Sequence, residues 1–306
     1  EVFTPISSIT GNNIPNQYYD VVSDNFLGGM LDYLPDEVWN NPHLKWLDPA
    51  NGIGNFSICA YYRLMDGLKS IITDNIDRSR HIIENMLYMI ELDPVNVNAS
   101  LGIFCYRGDG TILHGNIHQG SFMVDDLIKT INKDKSTDKK WPFTFDIIMG
   151  NPPYNTGGCR ICSSSQLGKK QNTTLWPDFV NKSIGLLRPD GYLTFVTPLS
   201  WLRKTHLLHH TLVNLHIIWL EIWDSEQARK MFRGGAKIPC SLYVIQNTDN
   251  TSKQTTIIRS RIAKDKLDKT YYGIYLDPNE NTPLAYFSIF NLLTKYLKEH
   301  PHLKIP

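Results

Sequence analysis

Within four consecutive residues, Asn151-Pro-Pro-Tyr154, this sequence sets a side-chain amide, a proline carbonyl and a phenol ring. The apolar run Ile147, Ile148, Met149 before them reads as a buried strand, and Gly150 to Pro153 ends it abruptly. Two consecutive prolines fix their own φ angles, so this stretch forms a stiff turn. Such a turn can hold the Asn151 amide, the Pro152 carbonyl and the Tyr154 ring towards one point, with Pro153 closing it. That set suits an amino group on a flat heteroaromatic ring: two oxygens accept its hydrogens and the phenol stacks on the base. Asn-Pro-Pro also ends strands that do no chemistry, and the other motifs must separate the two readings.

Two further acids end apolar runs. Leu44-Lys-Trp-Leu-Asp48 is a short strand, and Pro49-Ala50-Asn51-Gly52-Ile53-Gly54 turns the chain into helical periodicity from Phe56. A strand, glycine-rich turn and helix bring backbone amides and a helix N-terminus to a ligand. The acid before the turn favours a cationic or amino-bearing ligand over a phosphate. Next, Met86-Leu-Tyr-Met-Ile-Glu91-Leu92-Asp93-Pro94 is a second strand ending in an acid, as in ribose-binding strands of doubly wound folds. A third short strand and turn span Thr111 to Phe122 and carry Ser121 near their end.

These residues need elements to hold them. A polar helix is expected over Lys69 to Asn85, a helix over Val95–Ile103, and a charged surface loop over 129–141. The Gly-, Ser- and Lys-rich stretch 155–174 is a candidate lid or substrate clamp. Helix 175–187, a strand over Gly191–Pro198, helix Trp201–Leu212 and strand Ile217–Ile222 continue the alternation. Strands over Ala236–Ile245 and Thr255–Arg261 read as a more antiparallel edge. An early helix (Asn25 to Leu34) and a late extended piece with a helix (Gly273 to Lys298) complete the pattern. The alternation predicts an α/β, doubly wound, mostly parallel sheet with a small C-terminal appendage. Ligands of such sheets sit beyond the carboxyl ends of the strands, where Asp48, Glu91, Ser121 and Asn151 all fall.

The 306 residues suffice for one large domain, expected over 1–246, and an extension over 247–306. Apolar content of 42% describes an ordinary globular chain, and no apolar run reaches the roughly 18 residues that span a bilayer. Five cysteines without framework spacing fit a reducing compartment, cytoplasmic or otherwise intracellular. Cys159 and Cys162 form a lone CxxC without a second pair, so no metal is expected. The chain opens at Glu1 and stops at Pro306, which suggests a piece of a longer protein. Its net charge of +1 hides an asymmetry. Residues 1–156 hold 11 Lys/Arg against 19 Asp/Glu, and 157–306 hold 20 against 11. An acidic half for a small cationic cofactor and a basic half facing a polyanion would produce this.

Together, Phe3-Thr-Pro5, Asp48-Pro-Ala-Asn-Gly-Ile-Gly54, Glu91-Leu-Asp93, Gly120-Ser-Phe122, Asn151-Pro-Pro-Tyr154 and Phe232 resemble the amino-methylating DNA adenine methyltransferases. The motif order is similar to their gamma class, which includes restriction-modification enzymes and viral orphan methyltransferases. The resemblance covers residues 1 to about 246 and implies S-adenosylmethionine as cofactor and double-stranded DNA as partner, with no membrane. It implies that Thr4, Asp48, Ala50, Asn51, Gly52 and Gly54 surround the methionine part of the cofactor. Glu91 would take the ribose hydroxyls, with Leu92 and Phe122 against the adenine. Ser121 departs from the family, where an Asp accepts from the cofactor's adenine amino group; cofactor affinity is the property this bears on.

For the substrate, the resemblance implies that Asn151 and the Pro152 carbonyl accept from the amino group of a flipped-out adenine, with Pro153 among the substrate-binding residues and Tyr154 on one face of the base. Phe232 aligns with the aromatic at the base's other side. Arg229, Lys230, Arg233 and Lys237 beside it are candidates for phosphate contacts. The same turn serves enzymes that methylate a protein glutamine amide or an RNA base, and a non-catalytic DNA-binding subunit could keep the fold. A nuclease outside these residues is a further alternative.

Overall fold

Strands covered on both faces must carry apolar side chains at odd and even positions alike, and Trp46–Leu47, Leu87–Ile90 and Ile147–Met149 do so. The computed structural model describes residues 30–108, 110–134, 140–155, 174–232, 238–249, 256–262, 267–274, 276 and 278. Among the described residues, nine strands form one sheet: β1 (Trp46–Asp48), β2 (Leu87–Glu91), β3 (Asn116–Gln119), β4 (Phe145–Gly150), β5 (Leu187–Pro198), β6 (Leu215–Trp223), β7 (Cys240–Asp249), β8 (Thr256–Ile262) and β9 (Leu267–Ile274). Their order is β3-β2-β1-β4-β5-β7-β6-β8-β9. The five strands from β3 to β5 are mutually parallel, as are β6 and β8. By contrast β7 opposes both its neighbours, and β9 opposes β8. The expected α/β, mostly parallel sheet is therefore present.

Helices cover both faces: α1 (Asn55–Gly67), α2 (Asn75–His81), α3 (Pro94–Phe104), α4 (Leu127–Lys133), α5 (Trp176–Leu186), α6 (His209–Val213) and α7 (Ser225–Met231). Trp46, Met89, Ile147, Met149 and Val244 point to one side, where they pack with Phe56, Cys59 and Leu64 of α1, Phe104 of α3 and Ala228 of α7. Their strand neighbours Leu47, Ile90, Ile148 and Ile245 point to the other, against Leu127 of α4, Phe179 and Val180 of α5 and Leu212 of α6. Each fully buried apolar side chain of this size stabilises the fold by roughly 1.5–3 kcal/mol. The two clusters thus hold the central strands, and with them the strand ends, in fixed register.

Side-chain caps fix where several helices begin. Asp74 accepts from the amides of Ile76 and Asp77, Asp93 from Val95 with Pro94 in the first turn, and Asp224 from Gln227. Each such cap contributes about 1 kcal/mol. Among the described residues no helix is long and apolar enough to cross a membrane.

Three local expectations are corrected. The helix expected over Trp201–Leu212 is a 3-10 turn (Leu199–Leu202) and the short α6, separated by turns. The His206 ring takes the Leu208 N–H at 3.2 Å, a side-chain competitor to the helical bond. The strand expected from Gly191 starts at Leu187, because the Arg188-Pro-Asp-Gly signal is absorbed as a register shift with Asp190 at φ 61°. The charged loop expected from 129 is helical to Lys133, since Leu127, Ile128 and Ile131 bury one helical face. The lid at 155–174 lies almost wholly outside the described residues, as does the helix expected near the C-terminus. Beyond 246, β8 and β9 lengthen the same sheet.

Candidate active site

The strand register brings two acids and an amide to one edge. Asp48 is the last residue of β1 and lies level with Met89, so β2 runs two residues further to Glu91. On the other side Leu47 pairs with Ile148, which sets Gly150 and Asn151 just beyond Asp48. β3 extends the edge, because Glu91 lies opposite Gln119, two residues before Ser121.

Asp48 is fully buried. Its Oδ1 accepts from the Ala50 amide at 3.1 Å, while its Oδ2 has no hydrogen-bond partner among the described residues. Burial pushes the carboxyl up to about 8; the Ala50 bond opposes this and the charge of Glu91 adds to it. A carboxyl held this way, one bond short and shielded from water, suits a cationic or N–H-bearing partner.

Gly150 has φ 152°, and a β-carbon there would lie 3.0 Å from Asp48 Oδ1 and 3.7 Å from the Phe195 ring. The start of the Asn-Pro-Pro-Tyr turn and Asp48 therefore adjoin. Gly150→Ala is expected to cost ~1–3 kcal/mol through backbone strain, and to weaken whatever binds Asp48. Thermal unfolding checks this, and an unchanged midpoint would contradict it.

Gly52 donates its N–H to Glu91 Oε2 at 2.7 Å, and Asp93 donates to Oε1 at 2.8 Å. Glu91 thus clasps the β1 turn to the end of β2 and keeps lone pairs for hydroxyl donors. Asn51 is used differently. Its Nδ2 donates to Ser100 Oγ and its Oδ1 accepts from Ser57 Oγ, both at 2.8 Å. The side chain ties the turn to α1 and α3, and Gly54, at φ 94°, starts α1. No spacing signal in the sequence singles out Ser57 or Ser100.

In the turn itself, Asn151 Oδ1 is buried with no hydrogen-bond partner among the described residues, and Pro152 is buried while Pro153 is exposed. An amide oxygen left this way costs roughly 1–3 kcal/mol unless a donor meets it. Tyr154 packs against both core clusters, and its hydroxyl lies 3.8 Å from Cys240 Sγ. Burial, with Cys240 and Tyr243 beside it, holds the phenol well above its ordinary range. Burial also pushes the Cys240 thiol up to about 11, so it is neutral at pH 7 and acts as packing behind Tyr154. Sequence reasoning gave Cys240 no part in the site.

Other expected residues lie elsewhere. Leu92 is exposed just past the end of β2, and Ser121 accepts from the Met123 amide at 3.2 Å. Phe122 is buried against Phe179, ring centroids 5.0 Å apart, inside the second cluster. Phe232 is 3% exposed and meets Trp223 edge-on at 6.2 Å, inside the first cluster. Phe232→Ala is expected to destabilise the fold by ~3–5 kcal/mol, read by urea unfolding. A ring reserved for stacking would leave unfolding unchanged and weaken duplex binding instead. Arg229 and Lys230 are exposed on α7, where Lys230 pairs with Glu226 at 3.1 Å. Thr4, Arg233, Lys237, Cys159 and Cys162 lie outside the described residues.

Residues 85–228 match the family model of the Eco57I restriction-modification methylase. An uncharacterized adenine-specific methylase of Mycoplasma pneumoniae is 47% identical over 231 residues, covering 56% of this chain and 53% of the relative. The chain thus spans about half the length of that curated relative. Among solved structures, a modification subunit of a putative type I restriction enzyme from Vibrio vulnificus aligns with a TM-score of 0.52 at 14% identity, over 91% of this chain and 67% of that one. A nuclease-deletion mutant of the type ISP enzyme LlaGI, in complex with a DNA substrate mimic, aligns at 0.54 and 12% identity, over 90% and 27%. At these identities the two structures share the fold. The resemblance read from the motifs is matched by a restriction-modification methylase family, on the stretch that contains Glu91, Ser121 and Asn151.

Proposed function

We propose that this chain transfers a methyl group from S-adenosylmethionine to the exocyclic amino nitrogen of an adenine flipped out of double-stranded DNA. The observation that carries the reading is a pair of buried oxygens with no hydrogen-bond partner among the described residues, Asp48 Oδ2 and Asn151 Oδ1, at adjoining strand ends. One suits a cation, the other an amino hydrogen. The adenine-specific methylase of Mycoplasma pneumoniae supports the choice of base, and the LlaGI complex with a DNA substrate mimic supports the choice of polymer.

When bound, S-adenosylmethionine supplies an electrophilic methyl group on a sulfonium. Asp48, Ala50, Gly52 and Glu91 would hold it, with Thr4 in support, and Asp48 would offset its positive charge. Asn151 Oδ1 and the Pro152 carbonyl accept the two amino hydrogens of the target. This localises the nitrogen lone pair and fixes its direction, so positioning and electrostatics supply most of the rate. Tyr154 gives the base a stacking face. Flipping the base costs roughly a few kcal/mol, which stacking and the two hydrogen bonds offset. Residues 1–246 act as the catalytic unit in this reading, and 247–306 contribute to target recognition.

Incubation with a methyl-labelled donor and, separately, an adenine-containing duplex, an RNA and a protein mixture tests the reading. Label is expected in the duplex. Label confined to RNA or to protein glutamine would replace it.

A further inference from the structure

We infer that the loop after β5, from Arg203 to Leu207, is a second contact with the DNA backbone, beside the flipped base. The inference rests on the function proposed above and assigns part of the substrate grip to residues that carry no motif.

The loop lies at the active-site edge. Gly150 pairs with Phe195 in the parallel β4–β5 ladder, so β5 ends at Pro198 on the same side as the Asn-Pro-Pro-Tyr turn. The loop is also tied to that turn. Leu175 donates its N–H to the Tyr154 carbonyl at 3.0 Å, and the next residue, Trp176, stacks on His206 with ring centroids 5.1 Å apart and planes 15° from parallel.

Its backbone is firmly anchored. Trp201 is fully buried and donates to Ser241 Oγ at 2.8 Å; buried His209 bonds the Trp201 carbonyl at 3.1 Å through Nδ1. Between these anchors Arg203, Lys204 and Thr205 are exposed. An anchored loop presents its cations with less ordering cost than a flexible tail.

Charge separates this loop from α7. No Asp or Glu occurs between Asp190 and Glu221, a stretch that contains Arg203 and Lys204. On α7, Glu226 pairs with Lys230 and Asp224 caps the helix, so its cations have acids close by in the chain. A polyanion approaching the turn therefore meets a segment of net positive charge at the β5 loop.

The test uses the whole 306-residue chain and an adenine-containing duplex, with affinity measured across a salt series. Arg203→Gln/Lys204→Gln is expected to weaken binding roughly tenfold or more at low salt, and to lower the slope of log affinity against log salt by about 1.8, two phosphate contacts' worth. Donor affinity by calorimetry and the thermal midpoint are expected to stay as in the parent chain. Lys204→Gln alone is expected to give about half the slope change. Parent-like slope and affinity in both variants would overturn the inference while leaving the proposed function standing. Absence of salt-dependent duplex binding by the parent chain would overturn both.

Discussion

Asn151→Ala is expected to lower methyl transfer by a factor on the order of 10²–10³ or more, while donor binding by calorimetry persists. The amide oxygen it removes is buried and has no hydrogen-bond partner among the described residues, so the described fold loses no bond to it. Removing such an acceptor relieves an unmet polar group, and the variant is expected to be as stable as the parent or slightly more so. Loss of activity with retained stability separates a catalytic amide from a structural one. Undiminished transfer by the variant would end the mechanism.

The second large effect is on pH. Burial pushes the Asp48 carboxyl up to about 8 in the folded chain, against about 3.9 for an ordinary aspartate. Between these values the folded state holds a proton that the unfolded state has lost. Stability therefore falls as pH rises through this window, by up to ~1.4 kcal/mol per pH unit. A cationic ligand beside Asp48 favours the carboxylate, so its binding releases a proton below about pH 8. Donor affinity is then expected to rise by up to about tenfold per unit from roughly pH 6 towards that value, and to level off above it. Asp48→Asn is expected to flatten both profiles. Calorimetry in buffers of different ionisation enthalpy reads the released proton directly, and a pH-independent affinity in the parent chain would contradict the assignment.

Much of this site was legible in the sequence because strand ends are. Apolar runs that stop at an acid or at Asn-Pro-Pro mark the carboxyl edge of a parallel sheet, and Asp48, Glu91 and Asn151 do fall on that edge. What sequence could not supply was the use of each side chain. Asn51 sits in the turn with the right composition, yet it binds Ser57 and Ser100. Phe122 and Phe232 occupy expected motif positions and are packed in the two cores, because an aromatic ring reads the same in a sequence whether it meets a ligand or a neighbour. The helix expected over Trp201–Leu212 failed for a similar reason. Its periodicity is real, but His206 and the Trp201–Ser241 bond divert the backbone into turns.

The most direct measurement is nucleoside analysis of an adenine-containing duplex after incubation with the pure chain and S-adenosylmethionine. N6-methyl-2′-deoxyadenosine is the product this account predicts, and it should vanish with Asn151→Ala. Donor binding without any methylated nucleoside, or methylation at a ring carbon, would contradict it.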